Sequence, residues 1–149
     1  MIQIKEITAE MAYPLRHSIL RPNQPFEASV YDTDYQDGTF HIGAFYHEKL
    51  ITIASFYKEI NPVLPSNKQY RLRAMATVKE YRKLGAGRQV VSYAESIIKG
   101  KGIELLWCNG RTTVQEYYEK LGFKTHGEVF DYPPIGAHVV MVKYLVGGL

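Results

Sequence analysis

The chain has 149 residues, of which 46% are hydrophobic and 22% are charged, and its formal net charge is +3. This composition fits one globular domain over residues 1–149, and a single cysteine excludes an internal disulfide framework. The charge is too small to indicate a nucleic-acid partner by itself. We find neither a secretory signal nor an apolar run of the roughly 18 residues that span a bilayer, so we expect a cytoplasmic protein without a membrane segment.

The first half of the chain predicts a strand, a helix, a long loop and a hairpin. The helix is expected to be capped by Thr8 and stopped before Pro22. Its apolar face contains Met11, Leu15 and Ile19, which recur at helical spacing. A loop as long as the one that follows is more often functional than idle. In chain order these elements are a strand over 2–7, the helix over 8–20, the loop over 21–38, and hairpin strands over 39–46 and 50–58.

The second half alternates strands and helices. Its first helix is amphipathic, and a continuous apolar run after it is typical of a buried central strand. The valine-rich strand near the end either lies inside the sheet or pairs across a dimer. This alternation predicts an α+β fold with a mixed sheet. The elements are a strand over 72–78, a helix over 86–99, a strand over 103–108, a helix from Thr112 or Thr113 to Leu121, an edge strand from Val129, and a strand over 138–145.

A glycine-containing turn precedes the amphipathic helix and has the features of a phosphate-binding site. Gly85 and Gly87 let the backbone approach an anion closely, and the unpaired amides of a first helical turn favour negative charge. Arg82, Lys83 and Arg88 add positive charge at the same point. The residues after the glycines match neither a Walker A loop nor a Rossmann fingerprint, so the ligand must be inferred from other features.

Two segments resemble the hallmarks of the GNAT acyltransferase superfamily. The first, over 75–87, is a strand end followed by Glu80-Tyr81-Arg82 and an Arg-x-x-Gly-x-Gly loop. The second, over 114–123, ends in Tyr-Glu-Lys-Leu-Gly-Phe. Lys79 departs from the pattern, since the family often has proline there. The resemblance implies a single GNAT-like domain with a central mixed sheet of six to seven strands, about four flanking helices and two central strands that splay apart.

The resemblance also implies the acyl donor. In this family acetyl coenzyme A lies between the splayed strands, which correspond here to 72–78 and 103–108. Backbone groups of the first strand would pair with the pantetheine arm, and amides of the loop would bind the pyrophosphate. Asn109 either binds the cofactor or caps a turn, and no metal is implied. The expected cofactor-binding residues are Met75, Ala76, Thr77, Arg82, Lys83, Leu84, Gly85, Ala86, Gly87, Arg88 and Asn109.

The implied chemistry is direct attack of an amine on the thioester. Tyr118 occupies the position of the family's general acid, which would protonate the departing thiolate. The alternative for Tyr118 is a tyrosine that only packs into the core. We expect its neighbour Tyr117 to be a core residue, and Cys108 to be a small buried residue rather than a nucleophile.

The sequence does not identify the base that takes the proton of the acceptor ammonium. Glu59 is a candidate through a water chain, although a solvated acid at a strand end fits its position better. His41 and His138 are further candidates, yet a lone histidine on a strand usually has a structural role. Water is the remaining alternative.

The charge distribution bears on the acceptor. Residues 68–101 contain nine basic side chains against two acidic ones, whereas residues 21–38 contain four acidic side chains against one basic. Aromatic faces beside carboxylates suit a cationic, small-molecule amine, although two solvated surfaces of opposite sign would give the same pattern. The loop residues concerned are Phe26, Glu27, Tyr31, Asp32, Asp34, Tyr35 and Asp37.

Three classes of function are compatible with these features. The first is transfer of an acetyl group from acetyl-CoA to an amine, and the second is a catalytically silent, CoA-binding or regulatory module of the same fold. The third, nucleic-acid binding, is disfavoured because the basic residues cluster around one helix entry. The sequence leaves open the acceptor, the use of a longer acyl group and the oligomeric state, including a homodimer.

Overall fold

The structure is a computed structural model that describes residues 1–145. Its strands form one mixed sheet in the order β1-β2-β3-β4-β5-β7-β6. The elements are β1 Ile2–Ile7, α1 Ala9–Leu15, β2 Phe40–Tyr46, β3 Lys49–Tyr57, β4 Gln69–Thr77, α2 Ala86–Lys99, β5 Leu105–Arg111, α3 Gln115–Lys120, β6 Lys124–Tyr132 and β7 Gly136–Tyr144. The α+β class and the mixed sheet are as predicted, with three α-helices within residues 1–145 where about four were expected.

The chain divides into two compact units. The first unit consists of Met1–Lys58 and Leu72–Ile97, and the second consists of Glu59–Arg71 and Ile98–Leu149. The first residues of β4 therefore belong to the second unit, and the rest of β4 belongs to the first. That the whole chain is one domain stays a prediction. No helix within the described residues combines the length and the apolar character that a bilayer crossing requires.

In the first unit, an antiparallel ladder joins the three opening strands. β1 pairs with β2, and β2 pairs with β3. His47 and Glu48 form the hairpin turn with φ angles of 48° and 67°. Two successive left-handed residues give the turn whose twist matches that of paired strands. The hairpin predicted from the sequence is therefore confirmed.

The helix α1 presents only part of the predicted apolar face to the core. Thr8 caps the helix, because its hydroxyl accepts a hydrogen bond from the amide of Met11 at 3.2 Å. Met11 itself is 43% exposed, so the prediction that it faces the core is wrong. The chain continues as a π-helical turn over Arg16–Leu20, which changes the angular spacing that the prediction assumed. The predicted Leu15 and Ile19 are partly buried and pack against the core. The buried side chains are Ala9, Ala12, Tyr13 and Arg16.

In the second unit, β7 lies between two strands. It pairs antiparallel with β5 on one side and with β6 on the other. The valine-rich strand therefore lies inside the sheet. Gln69–Arg71 of β4 pairs in parallel with Leu105–Trp107 of β5. The predicted splaying of these two strands beyond that register stays a prediction.

Several predicted boundaries in the second unit are wrong for local reasons. The strand predicted to start at 103 starts at Leu105, because the amide of Ile103 donates to the carbonyl of Ile98 at 3.2 Å and closes the end of α2. The strand predicted from Val129 begins at Lys124. Gly127 has a φ of 81°, and the register between β6 and β7 shifts around it. This irregularity interrupts the alternation of apolar and polar residues by which a strand is predicted from sequence.

The start of α3 also differs from the prediction. Thr112 and Thr113 lie in a 3₁₀ turn, Thr112–Val114, rather than at the cap of the helix. The α-helix proper begins at Gln115 and has no side-chain cap. It is six residues long, so few of its side chains reach the core.

Candidate active site

The turn before α2, in the first unit, has the geometry of an anion-binding loop. The amide of Gln89 donates to the carbonyl of Gly85 at 3.2 Å, so the amides of Ala86 and Gly87 precede the first intrahelical bond. Gly85 has a φ of 80°, a conformation that costs a residue with a Cβ about 1–2 kcal/mol. Leu84 is exposed at the tip of the turn, whereas Ala86 and Gly87 are buried beneath it.

Cations surround this turn. Arg82, Lys83 and Arg88 are exposed, and the first turn of α2 contains no acidic residue. Arg82 folds back, because its Nε donates to the carbonyl of Thr77 at 3.1 Å. Cations next to the positive end of a helix dipole repel it unless an anion lies between them. These residues therefore fit a diphosphate, and their role in binding coenzyme A stays a prediction.

The predicted pantetheine segment, Met75–Thr77, is the end of β4 in the first unit. Ala76 is buried, while Met75 and Thr77 are partly exposed. The hydroxyl of Thr77 lies 3.0 Å from that of Thr52, and the amide of Val78 donates to the carbonyl of Ile51 at 2.8 Å. These bonds fix the segment to β3.

A backbone irregularity precedes this segment. Ala74 has a φ of 55°, which is unusual for a residue with a Cβ and especially so within a strand. Such a residue interrupts the strand and re-aims the backbone groups that follow it. Alanine has no sequence preference for this conformation, so nothing in the sequence pointed to it.

In the second unit, Tyr118 on α3 packs closely against β5. Its ring centroid lies 5.7 Å from that of Phe123. A Cβ on Gly110 would lie 3.4 Å from Cδ2 of Tyr118, so the glycine makes room for the ring. Burial raises the pKa of Tyr118 well above its usual value, and the phenol therefore stays protonated at physiological pH. Gly110 was not a candidate in the sequence.

Tyr117 does not have the environment that the sequence predicted. It is 41% exposed, so the prediction that it is a core residue is wrong. Adjacent residues of a helix point to different faces, and Tyr118 is the one of the two that turns inward. The edge of one ring contacts the other, with centroids 5.5 Å apart.

Cys108 and Asn109 lie side by side on β5. Cys108 is buried, and its burial raises the pKa of the thiol to about 12, so it is a neutral, unreactive side chain as predicted. Asn109 pairs with Val140 of β7 and is partly exposed. Because β5 continues to Arg111, Asn109 does not cap a turn, and its cofactor role stays a prediction.

Glu59 is engaged within the second unit. Arg71 Nη1 donates to its carboxylate at 2.8 Å, and Trp107 Nε1 donates to its backbone carbonyl at 3.0 Å. The guanidinium of Arg71 also stacks on the Trp107 ring, 5.0 Å from its centroid. These contacts give Glu59 a structural role after β3, in place of the solvated acid that the sequence favoured.

Both candidate histidines are buried and hydrogen-bonded. His41 Nε2 must donate to the carbonyl of Asp34 at 3.2 Å, so its Nδ1 accepts from the hydroxyl of Ser55 at 2.7 Å. Burial lowers the pKa of His41, which agrees with this neutral form. His138 Nδ1 donates to the carbonyl of Gly136 at 2.8 Å. Both ring nitrogens of His41 are therefore engaged, whereas the hydrogen bond of His138 engages Nδ1 alone. The burial of both rings fits structural roles.

A buried ion pair in the first unit was not predicted. Arg16 and Asp34 have no exposed side-chain surface and form two bonds, of 2.7 and 2.9 Å. Arg16 also donates to the hydroxyl of Ser55 at 2.8 Å, and the hydroxyl of Tyr57 donates to Asp34 at 2.5 Å. Burial alone would raise the pKa of Asp34, but the hydrogen bonds from Arg16 and Tyr57 outweigh it and hold the pKa below its usual value.

This pair changes the interpretation of the acidic loop. Asp34 neutralises Arg16 and is therefore withdrawn from the set of carboxylates that could receive a cationic acceptor. The remaining acidic side chains of the loop, together with two of its aromatic side chains, are exposed. They are Phe26, Glu27, Asp32, Tyr35 and Asp37.

Known proteins resemble this chain along most of its length. The model of the Acetyltransferase (GNAT) family matches residues 8–123. YitI of Bacillus subtilis (strain 168), an uncharacterized N-acetyltransferase, is 46% identical over 145 residues, which cover 97% of each chain. The ribosomal-protein-S18-alanine N-acetyltransferase from Escherichia coli has a TM-score of 0.77 at 15% identity, covering 97% of this chain and 94% of that one. The PaiA N-acetyltransferase from Thermoplasma acidophilum, solved in complex with coenzyme A, has a TM-score of 0.66 at 18% identity, covering 97% and 99%.

Proposed function

Because the chain belongs to the Acetyltransferase (GNAT) family and is therefore an acyl-CoA-dependent N-acyltransferase, we propose that it transfers an acetyl group from acetyl-CoA to a small-molecule amine. The amine attacks the thioester directly while both substrates are bound. A carbon–nitrogen bond forms, the carbon–sulfur bond breaks, and the thiolate of coenzyme A leaves.

The observation that carries the proposal is the turn before α2. Its first helical amides, its left-handed Gly85 and its exposed cations suit the diphosphate of coenzyme A. The expected set includes Arg82, Lys83, Leu84, Ala86, Gly87 and Arg88, with backbone groups of Met75, Ala76 and Thr77 for the pantetheine arm and Asn109 as a further contact. The relative that was solved with coenzyme A supports this choice of ligand.

Tyr118 is proposed to assist the leaving thiolate. Its raised pKa keeps the phenol protonated, so it can donate a hydrogen bond to sulfur as negative charge develops. A thiol has a pKa near 8.5, well below that of this phenol, so complete proton transfer from Tyr118 is unfavourable. The proposed role is therefore hydrogen-bond donation that follows the charge, with solvent protonating the sulfur afterwards.

Water is proposed to take the proton of the acceptor ammonium. Among the protein candidates, the Glu59 carboxylate is bound by Arg71, and both ring nitrogens of His41 are engaged. His138 donates through one nitrogen and lies among aromatic rings, 4.9 Å between ring centroids from Tyr132. The engagement of Glu59 and His41 and the burial of His138 support the solvent route.

The test is a thiol-release assay with acetyl-CoA and a panel of amines. Tyr118→Phe should lower kcat by about 10²–10³-fold, the usual effect of removing one hydrogen-bond donor from a developing negative charge, and leave the KM for acetyl-CoA nearly unchanged. Tyr117→Phe is the matched control, because it removes the same hydroxyl from the exposed neighbour and should leave kcat unchanged.

Two results would overturn this proposal. If acetyl-CoA binds in a calorimetric titration but no amine releases thiol, the chain is a silent CoA-binding or regulatory module. If Tyr118→Phe retains the kcat of the parent enzyme, the phenol does not assist the leaving group and only packs.

A further inference from the structure

Three guanidinium groups contact the single ring of Tyr31 in the first unit. Their Cζ atoms lie 4.2 Å (Arg73), 4.3 Å (Arg16) and 5.8 Å (Arg21) from the ring centroid. Arg21 Nη2 also donates to the Tyr31 hydroxyl at 3.3 Å. Within residues 1–145, Asp34 is the carboxylate that pairs with this group, and it pairs with Arg16. The group therefore carries an excess of positive charge.

Arg73 is the member of this group with unused donors. Its guanidinium stacks on Tyr31 and lies 5.8 Å from the centroid of Tyr57, and it is partly buried. Stacking covers the faces of a guanidinium, whereas its N–H groups point outward in the plane. In the described part of the chain, Arg73 has these ring contacts and neither a hydrogen-bond nor an ion-pair partner.

A partly buried cation beside two others is unfavourable without a counter-ion. A carboxylate is the anion that matches a guanidinium in shape, because its two oxygens accept two parallel N–H donors. The arrangement differs from that of Arg16, whose two Nη atoms already donate to Asp34 and to the hydroxyl of Ser55. The first unit thus contains one guanidinium that is paired with a carboxylate and one that is not.

The position of Arg73 along β4 connects it to the acyl donor. It directly precedes the left-handed Ala74 and the segment Met75–Thr77. Arg73 lies two residues before Met75 in the chain. Arg73 and the segment proposed to hold the pantetheine arm therefore belong to the same strand of the first unit.

We propose that the acceptor is an amine that also carries a carboxylate, of the size of an amino acid, and that Arg73 binds this carboxylate on the face of Tyr31. The inference rests on the proposed N-acetyl transfer and names the substrate class of that reaction. It adds a carboxylate to the cationic acceptor that the sequence predicted. Arg73 acts as a specificity residue and takes no part in the bond changes.

The test compares matched acceptors that differ only in the carboxylate: an amino acid, its carboxamide and the corresponding decarboxylated amine. Thiol release gives kcat and KM for each. We expect kcat/KM for the amino acid to exceed that for the carboxamide by about tenfold to hundredfold, the usual effect of a charged hydrogen-bonded pair. Arg73→Gln should remove this preference by raising the KM for the amino acid, with the carboxamide rate unchanged. Lys58→Gln, which removes an exposed positive charge from the same unit, is the matched control.

The outcomes separate this inference from the proposed function. If decarboxylated amines are acetylated as well as amino acids, the inference fails and the transferase activity stands. If no amine of any kind releases thiol, the proposed function itself fails. If Arg73→Gln weakens acetyl-CoA binding in calorimetry and leaves acceptor preference intact, Arg73 serves the nucleotide and the inference is overturned. If Arg73→Gln has the same melting temperature as the parent protein, a folding defect is excluded as the cause of its altered kinetics.

Discussion

Asp34→Ala should destabilise the protein by about 3–5 kcal/mol, because it leaves Arg16 as a buried charge without a partner. Asp34 accepts hydrogen bonds from Arg16 at 2.7 and 2.9 Å, from the Tyr57 hydroxyl at 2.5 Å and from the Tyr31 amide at 3.0 Å. Alanine accepts none of them. Since Arg16 has no exposed side-chain surface, water cannot replace the lost carboxylate without a rearrangement.

The expected loss is a large part of the total stability of a domain, which is about 5–15 kcal/mol. For a chain of this length, 1 kcal/mol shifts the melting temperature by about 2–4 °C. The melting temperature of Asp34→Ala should therefore fall by about 6–20 °C. Urea unfolding followed by circular dichroism measures the free energy directly, provided that the slope with urea is the same in both proteins.

Two further variants make the result specific to the buried charge. Asp37→Ala removes an exposed carboxylate from the same loop and should change stability by less than about 0.5 kcal/mol. Arg16→Met combined with Asp34→Ala removes both charges and should recover much of the loss. A loss below about 1 kcal/mol for Asp34→Ala, or a double variant no more stable than the single one, would refute the reasoning.

The remaining predictions concern acid, thiol chemistry and packing. Because the pKa of Asp34 is lowered in the folded state, the stabilisation by its carboxylate is present above about pH 4 and is lost as the pH falls below that value. The urea concentration at the unfolding midpoint should therefore fall more steeply with acid for the parent protein than for Asp34→Ala. Parallel curves for the two proteins would contradict this. Because the pKa of Cys108 is about 12, its thiol should resist alkylation near neutral pH in the folded protein and react in urea. Mass spectrometry measures the fraction of alkylated protein in each state. Equal alkylation rates in both states would show that the thiol is accessible in the folded protein. Gly110→Ala places a Cβ 3.2 Å from Met141 Sδ and 3.4 Å from the Tyr118 ring, so it should lower kcat while acetyl-CoA affinity is kept; an unchanged kcat would show that the ring tolerates displacement.

The helix α2 and the turn before it could be predicted from the sequence because their signals are local. The predicted bounds of the helix, 86–99, agree with Ala86–Lys99. Apolar residues at helical spacing and glycines at both ends define such a helix without any knowledge of the rest of the chain. The family motif lies on the same segment, so the fold followed from the same residues.

The pair of Arg16 and Asp34 could not be predicted, because it depends on tertiary packing. The two residues are 18 positions apart, and Arg16 stands in an amphipathic helix where an arginine ordinarily faces water. The sequence therefore counted Asp34 among free carboxylates. The same limit applies to Tyr117 and Tyr118, since adjacent aromatic residues can be told apart only when the helix face that packs is known.

The position of β7 between β5 and β6 has a consequence for synthesis on the ribosome. β7 is made after both of its neighbours, so β5 and β6 emerge with the hydrogen-bonding groups that β7 will satisfy still open. Unpaired strand borders are templates for association with other chains. Released chains that end before Gly136 should accordingly depend on chaperones more than the full chain does.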